Sequence, residues 1–226
     1  MLVREIKGLK FPDESVTRFF FKERLFEKPG RALELGCGNG NNLSLFYQYG
    51  YDVTGIDINE TSVLHANENT AAIKGGYHLE NEFRFSCEDM TEYVRDFKGE
   101  PVDILLMPSS LYYLPYNAIR QMLLDIKGNG LTKPGTKMFF RMRDLDDYRF
   151  GKGRKVGTNS FVLDIKETNE EGRTITFFSK AEFLAMLESV FRFRSHNVIK
   201  SRVENQQIGK IVDNSDIIFS GERDHG

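Results

Sequence analysis

The stretch from Arg31 to Asn42, R-A-L-E-L-G-C-G-N-G-N-N, constrains this 226-residue chain more than any other. Ala32 to Leu35 is an apolar run with the length of a buried strand. Gly36, Gly38 and Gly40 follow at alternate positions, and Asn41 opens a helical pattern carried by Leu43, Leu45 and Phe46. A strand that passes through glycines into a helix leaves backbone N–H groups free beside an anion or polar ligand, and glycine lets that ligand come close. Tyr51 to Asp57 then reads as a second strand ending on a carboxylate. In a doubly wound α/β fold that is the place where a ribose is held by its hydroxyls.

The rest of the chain continues strand by helix. An amphipathic helix over Glu14 to Glu27 is predicted to bury Val16, Phe20 and Leu25, together with Phe19 or Phe21, before Lys28-Pro29-Gly30 ends it. Asn59 is placed to cap a helix that runs to Lys74 and stops at Gly75-Gly76. Phe83 to Ser86 reads as a third strand and Glu92 to Phe97 as a short helix. Val102 to Met107 is a fourth strand, apolar enough to be buried on both faces. A helix over Tyr116 to Lys127 and a turn over Leu131 to Thr136 lead to a fifth strand, Lys137 to Arg141.

Beyond it, Asn159 to Ile165 and Arg173 to Phe178 alternate as two strands around a turn, which predicts an inserted β-hairpin. Ser179 and Glu182 form a capping box ahead of another helix. Phe193 to Val203 and Asp216 to Ser220 read as a closing antiparallel pair, with Arg223 to Gly226 as a frayed tail. The expected architecture is α/β: one domain over residues 1–226, built on a doubly wound, seven-stranded, mostly parallel sheet.

Composition narrows the setting. A hydrophobic content of 40% and a charged content of 28% are ordinary for a globular protein. The net charge of −2 gives no global attraction to nucleic acid. Two cysteines, Cys37 and Cys87, make no disulfide framework and suit a reducing compartment. The N-terminus has scattered charges and no signal-like apolar core, and no run approaches the roughly 18 apolar residues of a membrane span. A cytoplasmic location without membrane association is expected, as monomer or homodimer. His65, His78, His196 and His225 are scattered without ligand spacing, so no metal is expected; His196 is an outside candidate for a base.

The G-x-G-x-G run with Glu34 two residues ahead of it departs from the dinucleotide fingerprint, which needs a glycine where Asn41 stands. It resembles motif I of the class I S-adenosylmethionine-dependent methyltransferases. That resemblance implies S-adenosylmethionine as cofactor, S-adenosylhomocysteine as product, and the Rossmann-like fold of the family. Glu34, Gly36, Cys37, Gly38 and Asn42 would then attend the methionine end, and Asp57, followed by Ile58, the ribose. Asp89, with Glu88 in reserve, would accept from the adenine amine, Met90 would pack on the ring, and Pro108 would close the fourth-strand end. The resemblance also implies a helical lid over residues 1–30, and it sets Tyr112 and Tyr113 where relatives face the transferred methyl.

Residues 143–178 form the inserted loop and hairpin near the expected acceptor site. The run from Arg143 to Gly153, with Asn159, Phe161, Gly172-Arg173 and Phe177-Phe178, resembles the C-terminal half of the tRNA 3-methylcytidine methyltransferases. Phe20 to Arg24 adds to that likeness. Those enzymes carry a further N-terminal region for tRNA, and the net charge does not suit a lone RNA binder. The expectation is therefore a small polar acceptor, a metabolite or sugar derivative methylated on oxygen or nitrogen. Arg141, Arg143, Tyr148 and Arg149 follow the end of strand five and are expected to line its site. Arginine forks suit an anionic acceptor, while pairing of Arg143 with Asp144 or Asp147 is the competing expectation. Transfer to tRNA, or a fold that binds the cofactor without transfer, are the other functions considered.

Overall fold

The computed structural model describes residues 3–225. Ten strands form one connected sheet. Its main path runs β3 (Phe83–Cys87), β2 (Asp52–Asp57), β1 (Arg31–Leu35), β4 (Val102–Met107) and β5 (Thr132–Asp144). These five are parallel, and β10 (Lys210–Arg223) and β9 (Phe193–Gln207) extend the sheet antiparallel beyond β5. These make up the seven strands that the sequence predicts. The remaining three, β6 (Arg154–Gly157), β7 (Ser160–Val162) and β8 (Thr174–Phe178), form an antiparallel flap. The expected hairpin is β7 and β8; β6 adds a third strand to it.

Alternation along the strands sorts the core into two layers. Leu33, Leu35, Leu105, Met107, Met138 and Phe140 face one side, packed against α4 (Met90–Arg95), α5 (Tyr116–Gly128) and α6 (Lys180–Val190). Ala32, Ile104, Leu106 and Phe139 face the other, against α1 (Glu14–Lys22), α2 (Asn41–Gln48) and α3 (Glu60–Tyr77). The same parity puts Glu34, Arg141 and Arg143 on the α1–α2 side, which decides the geometry of the site.

β5 outruns β4. Met107, the last residue of β4, pairs with Phe140, and beyond it Arg143 and Asp144 pair with Phe177 and Phe178 of β8. The flap thus takes the edge that β4 vacates. The expected turn before β5 is a bulge inside it. Gly135 has φ +87°, Thr136 Oγ1 donates to Val102 O at 2.6 Å, and the register shifts between Val102 and Ile104.

The ends of α1, α3 and the C-terminal tail differ from those expected from the sequence. α1 stops at Lys22 because Arg24 takes a left-handed φ of 53°, and Leu25–Glu27 forms a separate 3-10 turn. Phe19 rather than Phe21 joins Val16 and Phe20 in its buried face. α3 runs through Gly75-Gly76 to Tyr77, and His78, at φ 54°, is the left-handed cap. Glycine weakens a helix without obliging it to end. The tail is held: Arg223 Nη1 donates to Thr132 O and Oγ1, and Asp224 N to Arg192 O, while Gly226 lies outside the described residues. Among the described residues no helix is long and apolar enough to cross a membrane.

Candidate active site

The glycine loop is fixed by its own backbone. Gly36 N and Cys37 N both donate to Ile56 O at the end of β2, at 2.7 and 3.0 Å. Gly36 has φ +80°, and a Cβ there would run into Ser110, whose hydroxyl donates to Leu35 O. At Gly38, φ +54°, a Cβ would meet nothing, so that position is open. Cys37 is 2% exposed, and burial pushes its thiol well above the ordinary range, consistent with a small packing residue. Asp57 clasps the loop: its carboxylate accepts from Gly38 N at 2.8 Å and from Asn59 N at 2.9 Å.

A cleft of about 560 Å³ opens over these strand ends. Gly36, Asp57, Ile58, Asp89, Met90 and Tyr113 line it, so six of the predicted residues come together. Ile58 is 73% exposed at its mouth. Asp89 also caps α4, accepting from Thr91 N at 2.7 Å, and the Thr91 hydroxyl bonded to it lowers its pKa. Pro108 is buried beneath the cleft, and its neighbours Ser109 and Ser110 line the wall instead. Arg173 and Thr174 of the flap also reach it, which the sequence reading missed. The Gly172-Arg173 pair stands out in the sequence as a motif, but its pairing edge is set by the outrunning end of β5.

Glu34 and Asn42 lie deeper. Asn42 Nδ2 donates to Glu34 Oε1 at 2.7 Å, while Glu34 Oε2 is buried without a partner. Burial, with lesser help from the charges of Asp57 and Asp13, holds the Glu34 pKa up to about 8. Asn42 Oδ1 accepts from Asp13 N at 2.8 Å, so the N-terminal segment rests directly on the loop. Asn39 Nδ2 donates to Lys7 O and Leu9 O, and Asn41 Nδ2 to Phe11 O. Asn41, which breaks the dinucleotide pattern, thus holds this segment in place together with Asn39 and Asn42.

Asp13 caps α1 through Ser15 N at 2.8 Å and takes Arg141 Nη2 at 2.6 Å. Burial alone would raise its carboxyl, but the Arg141 guanidinium and the cap N–H groups hold it below the ordinary value. A second cleft, about 570 Å³, lies between α1 and the exposed face of β5, β10 and β9, and Arg141, Arg143 and Arg149 line it. Each arginine is paired: Arg143 with Asp216 at 2.8 Å and Asp147 at 3.7 Å, Arg149 with Asp147 at 2.9 Å and with Glu170. The pairing expected for Arg143 with Asp147 is present, buried rather than on a solvated loop. Tyr148 lines neither cleft; Lys152 Nζ lies over its ring and its N–H bonds Asp213 O.

Tyr113 lines the first cleft, and Tyr112, which lines neither, packs against Arg143 of the second. Arg143 Cζ lies 4.8 Å from the centre of the buried Tyr112 ring, and the Tyr112 and Tyr113 rings are 4.6 Å apart. Tyr113 Oη donates to Glu170 Oε1 at 2.9 Å, and burial raises its pKa far above the usual phenol value. His196 is exposed on β9, outside both clefts, stacked on Phe219. Among the described residues no cluster of three or more His, Cys, Asp or Glu is placed to hold a metal ion.

Comparison with known proteins agrees with this layout. Residues 32–135 match the family model described as a methyltransferase domain. No curated protein matches the sequence. Among solved structures, a SAM-dependent methyltransferase of Methanosarcina mazei superposes with a TM-score of 0.66 at 20% identity, covering 91% of this chain and 98% of its own. The Burkholderia thailandensis 1,6-didemethyltoxoflavin N1-methyltransferase, solved with 1,6-didemethyltoxoflavin and S-adenosylhomocysteine, gives 0.62 at 17% identity, covering 93% and 78%. A Pyrococcus horikoshii protein gives 0.63 at 16%, covering 96% and 93%. With its glycine loop and its sheet order, the chain has the fold of these SAM-dependent methyltransferase structures, and residues 32–135 match a methyltransferase domain.

Proposed function

We propose that this protein transfers the methyl group of S-adenosylmethionine to an oxygen or nitrogen of a small polar molecule. The observation that carries the reading is the convergence of Gly36, Asp57, Asp89 and Met90, from three different strand ends, on one cleft. The residues suit the cofactor. Asp57 stands where a ribose is held, Ile58 and Met90 offer apolar surface for a base, and Asp89 has a carboxylate oxygen left after capping α4. At the inner end the unpartnered Glu34 Oε2 suits a cationic or hydrogen-bond-donating group, since a buried acceptor left empty is costly.

The cofactor supplies an electrophilic methyl on a sulfonium and departs as the thioether S-adenosylhomocysteine. The work left to the chain is alignment and exclusion of water. We place the acceptor in the second cleft, whose Arg143 packs on the buried Tyr112 ring. The likeness to a Burkholderia enzyme solved with a small heterocycle and S-adenosylhomocysteine supports a small acceptor. Incubation with radiolabelled S-adenosylmethionine and a pooled low-molecular-weight extract tests the reading. Label is expected in small molecules; label in tRNA alone contradicts it.

A further inference from the structure

The second cleft has a chemistry of its own. Residues opposite one another in antiparallel strands point to the same face of the sheet. The register therefore sets Phe139, Ser220 and Asn197 in one row and Arg141, Ile218 and Ile199 in the next. Arg143, Asp216 and Ser201 follow, and then Asn214 with Val203. α1 covers the near edge through Phe19, whose ring centre lies 5.3 Å from that of Phe139. Beyond α1 the face is open, and Asn197, Ile199 and Val203 are exposed. At about 570 Å³ the cleft falls in the usual range for small ligands.

The arginines of this cleft are already neutralised. Arg141 holds Asp13 at 2.6 Å and Arg143 holds Asp216 at 2.8 Å, while Arg149 is bound by Asp147 and Glu170. An anion entering would meet those carboxylates beside each guanidinium, and a cation would meet the guanidinium groups. Yet the Nε atoms of Arg141 and Arg143 are buried and donate to nothing, so each lacks an oxygen partner. The strands beyond offer Ser220 on β10 and Asn197 and Ser201 on β9, amides and hydroxyls that both donate and accept. Phe139, Ile218 and Ile199 set apolar strips between them.

Neutralised donors, two-way polar groups and apolar strips together match a molecule with hydroxyls on its rim and C–H groups on its faces. Resting on the reading of this cleft as the acceptor site, we infer that the acceptor is an uncharged polyhydroxylated molecule of the sugar class. It lies on the β5–β10–β9 face with hydroxyl oxygens on the Nε atoms of Arg141 and Arg143.

The test uses the full chain loaded with S-adenosylhomocysteine, and saturation-transfer NMR against three probe pools. One holds neutral monosaccharides and their methyl glycosides, one sugar phosphates and uronates, and one polyamines. Saturation of the neutral pool is expected, weakened about tenfold in Ser201→Val and in Asn197→Val, with S-adenosylhomocysteine affinity unchanged in both. Saturation of a charged pool without the neutral one overturns the inference and leaves the methyltransferase reading standing. So does the absence of any saturation in protein that binds S-adenosylhomocysteine. Protein that binds no S-adenosylhomocysteine removes the reading beneath the inference, and the inference with it.

Discussion

Asn42 Nδ2 donates to Glu34 Oε1 at 2.7 Å across the glycine loop, and leaves Glu34 Oε2 buried with no partner. The bond ties the end of β1 to the first turn of α2. Burial is the main reason its pKa rises from 4.5 to about 8, with Asp57 and Asp13 adding repulsion. Between those values the folded chain keeps a proton that the unfolded chain has lost. Its contribution to stability is complete below about pH 4.5, declines as pH rises toward about 8, and is gone above it. Glu34→Gln removes this dependence while keeping an oxygen for Asn42. Thermal unfolding from pH 5 to pH 8 should therefore fall more steeply in the natural protein than in the variant; parallel curves contradict the assignment.

The same carboxyl predicts a proton released on cofactor binding. A cation settling against Glu34 Oε2 favours its ionised form and lowers its pKa. Calorimetric titration with S-adenosylmethionine at pH 7, in phosphate and in Tris, should give apparent enthalpies that differ with the ionisation heat of the buffer. In Glu34→Gln the difference should vanish. Equal enthalpies in the natural protein would place the charge of the ligand elsewhere.

Gly36 and Gly38 look alike in the motif and should behave differently. Both have positive φ, which costs a substituted alanine about 1 kcal/mol or more. At Gly36 the added methyl also strikes Ser110, whose hydroxyl is engaged with Leu35 O, whereas at Gly38 it meets open space. Gly36→Ala is expected to lower stability by roughly 3 kcal/mol or more, as overpacking of a tight site does. Gly38→Ala should lose about 1 kcal/mol and keep its fold. Urea unfolding of both variants decides this, and equal losses would contradict it.

Asp13 joins three parts of the molecule: the cap of α1, Asn42 of the loop, and Arg141 of the second cleft. Asp13→Ala should cost about 1–2 kcal/mol from the lost cap. It should also speed hydrogen exchange of the amides of Lys7, Leu9 and Asp13, which donate to Asn69, Asn39 and Asn42. Asp13→Asn retains a capping oxygen and should restore most of the stability. Unchanged exchange in Asp13→Ala would mean that the asparagines alone hold the segment.

What the sequence made legible is local. A glycine loop between an apolar run and a helical pattern, followed by an acid after a second apolar run, is enough to place β1, α2, β2 and Asp57. Capping followed the same local logic at Asn59 and at the Ser179–Glu182 box, both present. What escaped depends on partners far away in the chain. β5 extends to Asp144 because β8 and β10 lie on its two edges, which no run of residues announces. Arg141 and Arg149 read as free forks, and Arg143 as either a fork or the partner of Asp144 or Asp147, but together they meet carboxylates drawn from residues 13, 147, 170 and 216. Asn39 reads as a loop residue and Asn41 as the start of a helix, and nothing in either announces the N-terminal segment laid across them.

The most direct measurement is calorimetric titration of S-adenosylhomocysteine into the natural protein and into Asp57→Ala. One site per chain is expected, with a loss of affinity of about tenfold or more in the variant, the cost of removing a charge-assisted hydrogen bond. Absence of binding to the natural protein would contradict the cofactor assignment, and undiminished binding to Asp57→Ala would contradict the place given to the ribose.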